Sequence, residues 1–130
     1  MSSDQKFTTL TADGQVKTFS GGSTNIGPAR VTYIQATGIT NIKLYDAATA
    51  SGTIIFESTF VNTGTDGANT LTISPNANDG ILYAGSLTDD KDVINTKTTS
   101  KVGDFVVCAS LNSTAHWTIV DVQGVFAKEA

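Results

Sequence analysis

The stretches DFVVCASL at residues 104–111 and HWTIVDV at residues 116–122 decide the fold class of this chain. Both are rich in valine, isoleucine and aromatic residues, which fit the pleated, half-buried surface of a β-sheet. The tripeptide NST at 112–114, lying between them, has the small polar residues of a turn. Two strand-like runs on either side of a short turn predict a β-hairpin.

The composition of the whole chain favours the same class. Of its 130 residues, 21 are threonine, 10 are valine and 10 are isoleucine, and these β-branched side chains lose rotamer freedom on a helix. Ten of the twelve acidic residues are aspartate, which suits turns better than helices. The chain is therefore predicted to be all-β.

Similar short runs recur through the chain, separated by turn clusters, and give roughly eight to ten strands. Phe7–Leu10 and Gln15–Phe19 flank an Asp-Gly turn and predict another hairpin. The alanine-rich stretch at 46–52 is too short for a stable helix and is expected to be a loop. The remaining runs are Arg30–Ala36, Thr40–Tyr45, Thr53–Val61, Thr70–Ser74, Ile81–Tyr83, a short one at 93–94 and a last one at 125–126.

This pattern predicts one antiparallel β-sandwich or jelly-roll-like domain over residues 1–130, with almost no helix. Residues 1–10 are interpreted as an N-terminal arm that could pair with a neighbouring sheet. Period-two alternation predicts which side chains are buried. They are Ile42, Leu44, Ile54, Phe56, Leu71, Ile73, Phe105, Val107, Trp117 and Ile119.

Charge and hydropathy argue against several classes of partner. Eight basic against twelve acidic residues give a net charge of −4, and Arg30 is the one arginine, so a nucleic-acid-binding face is not expected. The longest apolar run, at 105–109, is too short to cross a bilayer, so no membrane partner is expected. The first residues lack the apolar stretch of a signal peptide, so export by that route is not expected.

Candidate catalytic groups are few. His116 is the one histidine and Cys108 the one cysteine, and the sequence has no GxSxG nucleophile elbow and no phosphate-binding glycine loop. His116 is interpreted as a surface or edge residue and Cys108 as a buried apolar side chain. The prediction is that the protein is not an enzyme and has no catalytic, cofactor-binding or metal-binding residues.

Two weaker signals leave alternatives open. Asp89, Asp90 and Asp92, and a second loop with Asn76, Asn78 and Asp79, could supply oxygen ligands to calcium, although side chains that cap turns explain both clusters. Four aromatic residues could form a platform for sugar rings if they shared an exposed face. They are Tyr33, Tyr45, Tyr83 and Trp117, and the simpler interpretation is that they fill the core.

Three segments resemble small structural proteins of tailed-phage virions. They are IKLYD at 42–46 with GTII at 52–55, ISP at 73–75 leading to DGILYAGSL at 79–87, and HWTIV at 116–120 with Gly124-Val125. Such proteins resemble capsid decoration, or cement, proteins, which are short β-rich subunits that bind the outside of an assembled head.

The resemblance implies a role rather than a reaction. It implies a virion structural protein, assembled in the host cytoplasm, that stabilises a phage capsid as a homotrimer bound to the major capsid protein. Two other functions stay open: a tail, neck or fibre-associated virion subunit, and a carbohydrate-binding module.

Overall fold

The computed structural model of this chain describes residues 14–27, 31–50, 57–77, 79–87, 90–110 and 115–129. These residues form eleven strands and one helical turn. The strands are β1 (Gly14–Phe19), β2 (Gly22–Asn25), β3 (Val31–Ala36), β4 (Thr40–Lys43), β5 (Glu57–Asn62), β6 (Leu71–Ser74), β7 (Gly80–Leu82), β8 (Val93–Asn95), β9 (Asp104–Ala109), β10 (His116–Gln123) and β11 (Ala127–Lys128). The helical turn is α1 (Ala47–Ala50), where the sequence predicted a loop.

The strands form two mixed sheets that enclose one apolar core. The six-stranded sheet has the order β1-β3-β5-β9-β10-β7, and the five-stranded sheet has the order β11-β8-β6-β4-β2. The prediction of a β-rich chain with little helix is confirmed for the described residues. The antiparallel, jelly-roll-like arrangement is not, because five of the nine strand pairs are parallel.

The parallel pairs arise because the chain winds repeatedly through both sheets. Each winding places one strand in each sheet: β1 and β2, then β3 and β4, then β5 and β6. Successive windings stack in register at the corners, where Thr37 N–H donates to Phe19 O at 2.8 Å and Thr63 N–H donates to Ala36 O at 2.9 Å. A Cβ on Gly38 would lie 2.0 Å from Ser20 O, so this stacked corner requires glycine.

The second half of the chain closes both sheets with antiparallel strands. β9 lies between β5 and β10 and is antiparallel to both, so the predicted pairing of the segments at 104–111 and 116–122 is confirmed. β8 and β11 finish the other sheet, and the short strand predicted at 93–94 is confirmed. The final pairing segment falls at Ala127–Lys128 rather than at 125–126. In the predicted hairpin at 7–19, Phe7–Leu10 and the N-terminal arm lie outside the described residues.

The core confirms half of the predicted buried set. Ile42, Leu44, Leu71, Ile73 and Trp117 are buried, whereas Ile119 is half-buried against the core and Ile54 and Phe56 lie outside the described residues. The prediction is wrong for Phe105 and Val107, which are half-exposed on the outer face of the sheet, while Val106 and Cys108 point inward. β9 is apolar on both faces, so alternation could not indicate which face is buried.

The described residues contain no helix with the length and apolar character needed to cross a bilayer.

Candidate functional site

The outer face of the five-stranded sheet carries one polar side chain from each strand or its immediate end. Because β2, β4 and β6 are parallel and in register, their last residues, Asn25, Lys43 and Ser74, lie side by side. Antiparallel pairing continues this line to Asp92 and then to Glu129. Glu129 N–H donates to Asp92 O at 2.8 Å, which fixes the far end. We call these five residues the polar row.

The polar row lies along a groove of about 550 Å³. Asn41 adds a neutral amide to the groove, and its Oδ1 accepts a hydrogen bond from Ser74 Oγ at 3.3 Å. Two lysines, Lys43 and Lys91, and three carboxylates, those of Asp90, Asp92 and Glu129, give the lining a net charge close to zero. The groove therefore presents hydrogen-bonding groups of both kinds without a strong field of either sign.

Asp92 is a partly buried carboxylate in the groove, and its surroundings shift its pKa. Partial burial raises the pKa of its carboxyl, and the neighbouring charges of Glu129 and Asp90 raise it further. The hydrogen bond to the Ser74 side chain and the charge of Lys91 act in the opposite direction. The net effect is an Asp92 pKa above the ordinary value, so this carboxylate holds a proton more readily than a solvated aspartate does.

This combination of groups favours a polar, uncharged ligand over an ion. Amides, hydroxyls and carboxylates can each pair with the donors and acceptors of such a ligand. Within the described ranges, no three histidine, cysteine, aspartate or glutamate side chains are grouped so that they could hold a metal ion. Asp90 and Asp92 are therefore not part of such a group among the described residues. Asp89, the third candidate calcium ligand of this loop, lies outside the described residues.

The second oxygen-rich loop has a structural role at Asp79. This side chain is buried, and its Oδ2 accepts a hydrogen bond from Ala47 N–H at 2.8 Å, at the first residue of α1. Its carbonyl oxygen accepts from Asp90 N–H at 2.8 Å, which ties together two loops. Asp79 thus caps α1, which lies 32 residues away in the sequence, and Asn78 lies outside the described residues.

The outer face of the six-stranded sheet has a different character. Tyr33 on β3, Val61 on β5, and Phe105 and Val107 on β9 are half-exposed on this face. Strand register places Val61 opposite Phe105 and Thr59 opposite Val107, with Tyr33 opposite Thr59. We call Tyr33, Val61, Phe105 and Val107 the apolar band.

The two single-copy reactive residues do not come together. Cys108 is fully buried in the core, and burial raises the pKa of its thiol to about 12, so the thiol stays protonated and inert. His116 is half-buried at the start of β10, in register with Gly80 of β7. The Cys108 side chain points inward from β9, consistent with the apolar role that the sequence predicts.

The four aromatic residues considered as a sugar platform are also dispersed. Trp117 and Tyr45 are buried against each other, with ring centroids 5.1 Å apart in an edge-to-face arrangement, and Trp117 Nε1–H donates to Tyr45 O. Tyr83 packs against the core and donates to Phe126 O at 3.2 Å. Tyr33 lies on the outer face of the six-stranded sheet. These rings therefore do not share an exposed face, and the core interpretation holds for three of them.

A buried polar network that the sequence analysis missed joins the two sheets. Asn62 Nδ2 on β5 donates to Asn95 Oδ1 on β8 at 2.8 Å, and Asn95 Nδ2 donates to Asp104 Oδ2 at 3.0 Å and to Val125 O at 3.1 Å. Asp104 Oδ2 also accepts from Lys101 N–H at 2.9 Å. The sequence could have indicated this network through the position of its residues. Each side chain lies at an inward-facing position on a strand, where a polar group needs a hydrogen-bond partner.

No family model matches the chain, and no curated protein matches it at a significant level.

Proposed function

We propose that this chain is a virion structural protein that decorates and stabilises a phage head by binding the outside of its shell. The observation that carries the proposal is the apolar band. It places two aromatic and two aliphatic side chains on one half-exposed sheet face, with the neutral polar residues Gln35 and Thr59 among them. Aromatic and aliphatic side chains grouped on one half-exposed face are typical of a protein–protein interface.

The low charge of the chain supports the same role. Charged residues make up 15% of the sequence, against about 25% in an average protein, so less desolvation opposes the burial of a surface against a partner. The proposed partners are the major capsid protein and other copies of this chain in a homotrimer. Many symmetry-related contacts on a shell would add through avidity, so each contact can be weak.

The proposal includes a β-sandwich as the supporting architecture. Two sheets facing each other across one core give a rigid platform, and the segments that resemble virion proteins contribute β4, β6, β7 and β10 to it. No catalytic role is proposed for any residue, and no cofactor is part of this function.

The test is binding of the purified chain to undecorated heads, measured by co-sedimentation. Phe105→Asp places a charge within the apolar band and is expected to weaken head binding about tenfold or more, which corresponds to about 1.4 kcal/mol or more. The control is Val102→Asp, because Val102 is exposed in the turn before β9 and lies outside the band. Circular dichroism checks that both variants fold.

Equal head binding by the two variants would contradict a role for the band. Absence of binding to heads, together with co-purification with tails, would favour the alternative of a tail, neck or fibre-associated subunit.

One observation favours the second alternative, a carbohydrate-binding module, and that observation is the polar groove. A glycan array tests it directly, with Asn41→Ala as the variant that removes an amide from the groove. Specific glycan binding that Asn41→Ala abolishes would support this alternative and would give the groove, rather than the band, the main role.

A further inference from the structure

Among the described residues, the first strand of the six-stranded sheet is paired along one edge only. β1 pairs with β3 on one side, and no other strand in the part of the chain that the structure describes pairs with its other side. It is six residues long, contains no proline and carries a single charge, that of Lys17. Val16, at its centre, is 78% exposed. Edges of this kind are templates for the addition of another strand.

The hydrogen bonds at the end of β1 show which residues face the open side. Phe19 O accepts a hydrogen bond from Thr37 N–H beside β3, so the backbone groups of Phe19 point toward β3. Because these groups alternate along a strand that has a neighbour on one side, those of Lys17 also point toward β3. Those of Gly14, Val16 and Thr18 then point outward, and among the described residues they have no partner.

We propose that this edge binds a second copy of the same chain, with the two β1 strands antiparallel and Val16 opposite Val16 of the second copy. In this register Gly14 lies opposite Thr18 of the second copy, and the reverse pair forms at the other end. Each of these three pairs exchanges two backbone hydrogen bonds. The contact is therefore a two-fold, self-complementary interface.

The charge of Lys17 favours this register over the one in which the two-fold axis is shifted by one residue. Shifting the two-fold axis by one residue would place Lys17 directly opposite Lys17 of the second copy, and like charges in that position are destabilising. With the axis at Val16, no two lysines lie opposite each other. Val16 is also in register with Tyr33, so the contact would bury the exposed valine at the border of the apolar band.

The edge of the five-stranded sheet is compatible with the same two-fold axis. β2 is the end strand of the five-stranded sheet at the same end of the stacked windings, and it pairs on one side with β4. A two-fold axis normal to the sheets turns the two β2 edges toward each other as it joins the two β1 edges. Both layers can therefore continue from one copy to the next.

Cross-linking tests the register directly. Val16→Cys places a thiol at the proposed two-fold axis, and a short bis-maleimide is expected to convert the full-length variant largely to covalent dimers. The native Cys108 does not interfere, because its thiol is buried and its pKa is raised to about 12. Val102→Cys is the matched control, since Val102 is also an exposed valine, at 59%, and it is expected to stay uncross-linked.

A second pair of variants tests the contact without a cross-linker. Val16→Lys places two ammonium groups opposite each other and is expected to weaken self-association about tenfold or more in sedimentation velocity, whereas Val102→Lys leaves it unchanged. Val16→Cys chains that cross-link no more than Val102→Cys chains would overturn the proposal. The hairpin predicted between Phe7–Leu10 and β1 would give that result, because the edge would then be covered within one chain.

This contact does not depend on head binding or on the three-fold contacts of the proposed trimer. Heads that bind Val16→Lys as they bind the natural chain, with self-association lost, would leave both proposals standing. Normal cross-linking with no head binding would contradict the proposed function alone.

Discussion

Replacing Asn95 with alanine removes the centre of the buried network that joins the two sheets. Asn95 is fully buried and makes three hydrogen bonds, with Asn62, Asp104 and Val125. The substitution leaves Asn62 Nδ2 without that acceptor in the core, at a cost of about 1–3 kcal/mol. It also removes a bond to the Asp104 carboxylate, which is worth about 1.5–3 kcal/mol.

These losses overlap, because Asp104 keeps its bond from Lys101 N–H. We therefore expect the free energy of unfolding to fall by about 2–5 kcal/mol, which is a large part of the about 5–15 kcal/mol of an ordinary domain. With a urea m-value of about 2 kcal/mol/M, the unfolding midpoint moves down by about 1–2.5 M.

Urea unfolding followed by Trp117 fluorescence is the assay, since this buried ring is the only tryptophan. The matched control is Asn41→Ala, which removes a half-buried amide with one side-chain hydrogen bond, to Ser74, and is expected to cost less than about 1 kcal/mol. If Asn95→Ala unfolds within about 0.5 M of the natural chain, at the same m-value, the network does not stabilise the fold as argued.

Three further outcomes are expected. The Cys108 thiol should resist alkylation at pH 8 in the native protein and react after unfolding in urea; rapid labelling of folded protein would contradict its burial. Because the pKa of Asp92 is raised in the folded protein, ionisation of Asp92 opposes folding at pH 7, and this penalty disappears as the pH falls through the folded pKa. Asp92→Asn should therefore raise the melting temperature slightly at pH 7 and lose that advantage in acid; an equal gain at both pH values would be inconsistent with titration. Gly124→Ala should destabilise the fold by about 2–4 kcal/mol, because Gly124 has a φ of +97° and an added Cβ would lie 2.3 Å from Asp104 Cγ. Gly27→Ala, where an added Cβ meets nothing within 4 Å, is its control in thermal unfolding, and similar losses in both variants would contradict the argument.

The sequence predicted most of the strands, but not β2, because the signal of the others is local. Runs of β-branched residues bounded by glycine, asparagine and aspartate mark most of the strands, and the loop at 112–114 gave the β9–β10 pairing. α1 was missed because its single turn is capped by a residue distant in the sequence. Asp79, 32 residues away, accepts a hydrogen bond from Ala47 N–H.

Sheet topology was not predictable from the same signals. Thr37, Gly38 and Ile39 separate β3 from β4 and resemble a hairpin turn, yet these strands lie in different sheets. What places them there is the stacking of this corner on Ser20 and Gly21, a contact between windings that no short window of sequence contains. Parallel pairing is therefore a consequence of tertiary packing rather than of turn chemistry.

The candidate surfaces were hidden for the same reason. Lys43, Ser74 and Asp92 are scattered through the sequence and share a row only because three strands are in register. Phe105 and Val107 belong to an apolar run whose other residues fill the core, so their exposure depends on how β9 is oriented. Sequence patterns indicate that such side chains exist on strands, and register decides which of them meet.

The most direct test of the proposed function is a cryo-electron-microscopy map of tailed-phage particles assembled in the presence of this chain. The proposal predicts density for the two-sheet fold on the outer surface of the head, with the face that carries Tyr33, Val61, Phe105 and Val107 against a neighbouring protein. Finding the fold in the tail or neck, or finding no density for it on the head while this band faces solvent elsewhere, would contradict the proposal.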